Sequence, residues 1–189
     1  YTFILKNDLR FHDGEPLSSE DVAFTINLLK NDLAKSPRRA HWDGVAVETP
    51  DEQTVMFTLK QPYAPFLENT TLGILPKHLW ETVEVTEFSF STFNLDAIGS
   101  GPYKITELDK DKDGIPREAT LTAFDEFALG KPYISKIVLR FYLNSEDLFS
   151  AFKSGAVDSI AAVPPASIDD LNLSEDGLEE ATLPRVFGV

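Results

Sequence analysis

The stretch that most constrains this chain is its first 33 residues, YTFILKNDLRFHDGEPLSSEDVAFTINLLKNDL. Tyr1 to Leu5 opens as an aromatic, β-branched run and reads as a strand. Phe11 to Pro16 then reads as a turn, because Gly14 tolerates positive φ and Pro16 fixes its own. Ser18-Ser-Glu-Asp21 opens a helix: the Ser18 hydroxyl can accept from free N–H groups of the first turn, and the early carboxylates favour the positive helix end. Val22, Ile26, Leu29 and Leu33 recur at helical spacing, which predicts a helix from about Ser19 to Leu33 with one buried face.

Downstream, 44–48 and 54–60 alternate around TPDEQ and predict a hairpin. A short helix is expected within 62–71, and Leu79-Trp80-Glu81 continues as a turn or helix. The aromatic, serine-rich run 88–94 has no period and reads as loop. Gly99-Ser-Gly-Pro102 reads as a boundary before a strand, its glycines permitting close backbone approach. A second hairpin (103–108 with 119–124), a strand at 134–142, and a helix from Asn144 to Lys153 stopped by Gly155 follow. Residues 157–162 look strand-like, Pro164-Pro165 breaks the run, and 166–171, 178–183 and 186–189 read as a short helix and two further strand-like runs. The fold class is therefore α/β, mixed sheets with flanking helices, in two subdomains, 1–92 and 93–189.

Composition excludes several functions. Net charge is −14, which argues against a nucleic-acid partner, since phosphate binding needs clustered Lys and Arg. Without cysteine there is no disulfide, thiolate metal site or cysteine nucleophile. No run approaches the roughly 20 apolar residues of a membrane span. No signal peptide or initiator Met is present, and both ends read as cuts through a larger protein.

The chemistry-bearing residues are scattered. His12, His41 and His78 share no ligand spacing and read as surface or turn histidines. There is no Gly-x-Ser-x-Gly elbow, and Gly99-x-Gly101 leads to Pro-Tyr rather than to a phosphate-binding helix. The best local motif is Asp109-Lys-Asp-Lys-Asp-Gly114, where Asp109, Asp111 and Asp113 alternate as calcium ligands do. Position twelve of such a loop is Thr120 instead of a bidentate Glu, and the flanks read as strands. A polar hairpin tip and a calcium staple both remain open, and no other cofactor is expected. Trp42, between a basic loop and a strand, can line a cleft or pack in the core. Ala162, Val163 and Pro164 form a strand-end corner of the kind that faces ligand crevices in α/β folds.

Five segments in order resemble a known family: FHDGEPLSSEDV at 11–22, TVMFTLKQPYAPF at 54–66, ILPKH at 74–78, GSGPYK at 99–104 and FSAFKSGAVD at 149–158. Together they are similar to the extracytoplasmic solute-binding proteins of peptide and nickel ABC importers, the oligopeptide- and dipeptide-binding family; Ser100 stands where the family has Thr. The resemblance implies part of one lobe of a type II periplasmic-binding-protein-like fold: a small accessory subdomain over 1–92, and part of the ligand-binding lobe over 93–189, with a second lobe absent. It implies a non-enzymatic role: capture of a peptide or related small solute outside the membrane, in the periplasm or on a cell-surface lipoprotein, and delivery to ABC permease subunits. It also implies that the 162–164 corner and Phe187 border the cleft. Two other classes stay open: a calcium-stabilised extracellular interaction module, and an enzyme of unknown type.

Overall fold

The computed structural model describes residues 1–161, 163, 164 and 167. By its internal contacts the chain divides into two units, Tyr1–Leu139 and Arg140–Val189. This partition is distinct from the subdomain boundary expected at 92/93, which instead falls between two sheets of the first unit.

The first sheet holds β1 (Thr2–Ile4), β2 (Ala46–Asp51) and β3 (Thr54–Thr58) in the order β1-β3-β2. Both neighbours run antiparallel to the central β3, with Phe3 opposite Val55 and Val47 opposite Phe57. Asp51 makes the β2–β3 turn by accepting the N–H groups of Gln53 and Thr54, each at 2.8 Å.

Helix α1 (Ser19–Lys30) lies over this sheet. Its capping box forms as the sequence requires: Glu20 N–H donates to Ser18 Oγ, and Ser18 N–H donates to Asp21 Oδ2. Its N-terminus is also tied to the β2–β3 turn, because Ser19 donates its N–H to Glu52 O and its hydroxyl to Asp51 O. Ile26 is buried, and Val22 and Leu29 are partly buried against the same core, so the anticipated face is the packed one. The helix stops three residues early. Asn31 turns extended (ψ 127°), and its side chain accepts from Leu33 N–H to start a 3-10 turn over Asp32–Ala34. Leu33 thereby leaves the apolar face and is 60% exposed.

The core behind α1 is Ile26, Trp42, Val45, Val55, Phe57 and Phe66. Phe66 begins the short helix α2 (Phe66–Asn69), which follows the prolines. Helix α3 (Lys77–Trp80) carries Trp80 onto Phe88 and Phe93. Those two rings come from the run expected to be loop. It forms 3-10 turns at Val85–Phe90 and Thr92–Asn94, a geometry that leaves no 3.6-residue period to read.

The second sheet, in the order β4-β5-β6, contains β4 (Tyr103–Lys110), β5 (Pro116–Ala123) and β6 (Lys136–Arg140). The antiparallel β4–β5 hairpin is longer than its apolar pattern suggests, since pairing continues through Asp109 with Glu118 and Lys110 with Pro116.

In the second unit, Asn144 caps α4 (Ser145–Lys153) by accepting from Asp147 N–H at 2.8 Å. Gly155 ends it with φ +72°, as expected. Residues 157–161 are not a strand: a strand requires a hydrogen-bonded partner, and none pairs with them among the described residues. The elements expected over 166–171, 178–183 and 186–189 lie outside the described residues, Ser167 excepted. No helix among the described residues is long and apolar enough to cross a membrane.

Candidate functional site

The turn at 11–16 gathers more polar contacts than its sequence announces. Gly14 takes φ +92°, so the chain can reverse there. Phe11 N–H donates to Glu15 O, Arg10 donates to Gly14 O, and Phe11 is fully buried against the His78 ring. Asp13 sits 2.9 Å from His78 Nε2, linking the turn to α3.

His12 links the same turn to the segment that leads into β4. Its N–H donates to Gly99 O at 2.8 Å, Gly99 N–H donates to its Nδ1 at 3.2 Å, and its Nε2 lies 3.0 Å from Gly101 O. The ring meets Phe124 edge to face, with centroids 5.0 Å apart. Sequence reasoning placed His12 among turn histidines and missed this role. Its partners are backbone groups 87 and 89 residues away, which no local pattern reports. The expected close backbone approach at the glycines is not what they provide. A Cβ on Gly99 would meet His12 at an ordinary 3.6 Å, and one on Gly101 would meet nothing within 4 Å.

A second polar cluster joins α1 to α3. Asp21, 6% exposed, accepts from Ser18 N–H and Ser18 Oγ through Oδ2, and from Lys77 N–H through Oδ1. Lys77 Nζ reaches Glu20 at 2.7 Å. This hydrogen bond, aided by the opposite charges, lowers the Glu20 carboxyl and raises the Lys77 amine relative to their ordinary values.

The candidate metal ligands do not converge. Asp109 lies in β4 opposite Glu118. Asp111 Oδ1 accepts from the N–H groups of Asp113 and Ile115, and Oδ2 accepts twice from Arg117, at 2.9 and 2.6 Å. The Ile115 N–H first, then Arg117 and the Asp113 N–H, hold the Asp111 carboxyl below its ordinary value. A carboxylate so engaged serves the hairpin tip. No group of three or more His, Asp or Glu side chains among the described residues could hold a metal ion. Likewise, no serine hydroxyl among them is hydrogen-bonded to His12 or His78.

Of the candidate ligand contacts, Trp42 belongs to the core: it is 1% exposed and packs on Phe57 and Phe66, each ring centroid 5.5 Å away. Of its two open readings, core packing is the one it adopts. Its neighbours His41 and Asp43 instead help line a surface cavity of about 460 Å³ with Gly44, Lys60 and Tyr63. Val163 is half-buried and Pro164 exposed, and Pro164 O accepts from Ser167 N–H at 2.9 Å; the residues before them, 157–161, form no strand, so the two do not follow a strand end. Ala162 and Phe187 lie outside the described residues.

The chain is similar to proteins of one kind. It is 28% identical over 162 residues to the oligopeptide-binding protein AppA of Bacillus subtilis, matching 84% of this chain and 29% of AppA. The structure of AppA in complex with a nonapeptide matches with a TM-score of 0.78 over 90% of this chain and 34% of that one, at 25% identity. The ABC transporter substrate-binding protein CtaP of Listeria monocytogenes matches at 33% identity and a TM-score of 0.76, over 90% of this chain and 34% of CtaP. NikZ of Campylobacter jejuni in complex with Ni(L-His) matches at 28% identity and a TM-score of 0.79, over 93% of this chain and 34% of NikZ. The chain thus spans about a third of the length of these relatives. A family model for bacterial extracellular solute-binding proteins, family 5 (middle), matches residues 1–185, and the chain belongs to that family.

Proposed function

We propose that this chain is part of the substrate-binding component of an ABC importer that captures peptides outside the membrane and delivers them to permease subunits. The observation that carries this reading is the backbone it shares with AppA, whose structure holds a nonapeptide. In this reading residues 1–92 are an accessory subdomain and 93–189 part of the ligand-binding lobe. Val163 and Pro164 then border the cleft together with Ala162 and Phe187. The role is capture and release by a shift between open and closed states, with no chemistry on the cargo. Placement in the periplasm or on a lipid-anchored surface protein follows from the same role. The net charge of −14 is in keeping with a partner other than nucleic acid.

A second cargo class is favoured by one observation, the similarity to NikZ, whose structure holds a metal–amino acid complex. Native mass spectrometry of the protein purified from its host addresses both. Retained peptides, lost on denaturation, are the expected result. A retained metal–histidine mass would move the reading to the second class. A preparation that carries neither and takes up nothing from an added peptide pool would overturn the proposal.

A further inference from the structure

His12 is held by one donor and one acceptor of the same backbone segment. Gly101 offers a carbonyl, which can only accept, so Nε2 must carry the proton. Gly99 offers an N–H, which can only donate, so Nδ1 must carry the lone pair. A neutral imidazole in this one tautomer satisfies both partners, and a protonated ring satisfies only Gly101.

We propose that His12 is a proton-operated latch on the Gly99–Gly101 segment. Neutral, it ties the 11–16 turn to the entry of β4. Protonated, it presents an N–H at Nδ1 to the N–H of Gly99, donor against donor, and that side of the latch opens. Of the charged groups on the neighbouring elements, Asp13, Asp125 and Lys77 have partners of their own. Asp13, next in the turn, is bonded by His78 and by Glu15 N–H. Asp125, next to Phe124, pairs with Lys131 at 2.9 Å, and Lys77 on α3 pairs with Glu20. The Gly99–Gly101 segment carries no charge of its own. His78, the other histidine beside the turn, has its Nε2 2.9 Å from Asp13 Oδ2. At His12, acid therefore removes one of the three hydrogen bonds between the turn and 99–101, that of Gly99 N–H, and leaves those from His12 N–H to Gly99 O and from Nε2–H to Gly101 O in place. The device acts whatever the cargo, and none of its readouts involves a solute.

The test is nuclear magnetic resonance on the protein at about pH 7.5 and about pH 5.5, a span over which histidine side chains commonly change charge. Long-range proton–nitrogen spectra should show the Nε2–H tautomer of His12 at the higher pH and a doubly protonated ring at the lower. Corrected for intrinsic exchange, protection of the Gly99 amide should fall about tenfold, the worth of one hydrogen bond. Protection of Leu17 N–H, bonded to Leu9 O in the same region, should stay unchanged. His12→Asn should remove the pH dependence at Gly99; if that variant does not fold, the wild-type spectra decide. An Nδ1–H tautomer, a ring still neutral at the lower pH, or a Gly99 amide still protected beside a charged ring would each overturn the latch.

Discussion

Asp21→Ala tests the idea that one carboxylate joins α1 to α3. Asp21 accepts three hydrogen bonds, from Ser18 N–H (2.9 Å), Ser18 Oγ (3.1 Å) and Lys77 N–H (2.9 Å), while only 6% exposed. Truncation removes the reciprocal half of the capping box, a loss of about 0.5–2 kcal/mol. It also strands the part-buried Lys77 N–H, at about 1–3 kcal/mol, while the Ser18 hydroxyl can rotate to another partner. The expected loss of stability is about 2–4 kcal/mol. Asp21→Asn keeps the volume but offers a single acceptor oxygen, so it should fall between wild type and alanine. Urea unfolding at neutral pH, followed by the fluorescence of Trp42 and Trp80, measures both, and Trp80 sits on the helix that Asp21 secures. Ser18→Ala combined with Asp21→Ala should cost less than the sum of the single changes, because both act through one box. An alanine variant within about 0.5 kcal/mol of wild type, at an unchanged slope, would show that the three bonds contribute nothing net and would refute the reasoning.

Other expectations follow from the same contacts. Gly14→Ala should destabilise by about 1–2 kcal/mol in thermal unfolding, because φ is +92° there, whereas Gly99→Ala, with ordinary φ and a 3.6 Å approach to His12, should stay within about 0.5 kcal/mol. The Asp111 carboxyl is lowered in the folded state, so its stabilisation is fully present above its unfolded value and is lost as pH falls below about 4. Unfolding profiles of wild type and Asp111→Asn from neutral pH downward should therefore converge in acid, and parallel profiles would count against the assignment. Calcium calorimetry should show no micromolar binding at the hairpin tip, since Arg117 and two backbone N–H groups occupy Asp111; micromolar binding abolished by Asp111→Ala would reverse that reading.

Where interactions are local, the sequence announced them. The box of Ser18 and Asp21, the turn at Gly14, the cap at Asn144 and the stop at Gly155 all lie within a few residues of their partners. The α1 terminus was misjudged because Leu33 keeps helical spacing although Asn31 has already diverted the backbone. Asp109 looked like a loop ligand because hairpin pairing of polar residues has no apolar alternation to mark it. Trp42 was ambiguous because an aromatic flanked by polar residues reads alike beside a cleft or in a core; the packing of Phe57 and Phe66 resolves it, and neither neighbour is close in sequence. His12 and Asp21 carry long-range polar contacts, to Gly99 and to Lys77, which only the folded chain brings together.

Three of the five segments through which the family resemblance is visible touch one another. Residues 11–22 contact 74–78 through Asp13–His78 and Asp21–Lys77, and contact 99–104 through His12. A residue whose polar atoms are spent on partners within the same chain has none left for a solute. His12 and Asp21 are in that position, and so, at the hairpin tip, is Asp111. These motifs therefore specify how the strands and helices join, and are poor reporters of cargo. The similarity of the same backbone both to a protein holding a nonapeptide and to one holding Ni(L-His) is what such a division of labour produces. Under the proposed function, cargo selection falls to positions outside the motif junction, and the reading that sets Val163 and Pro164 at the cleft border makes them the first positions to substitute.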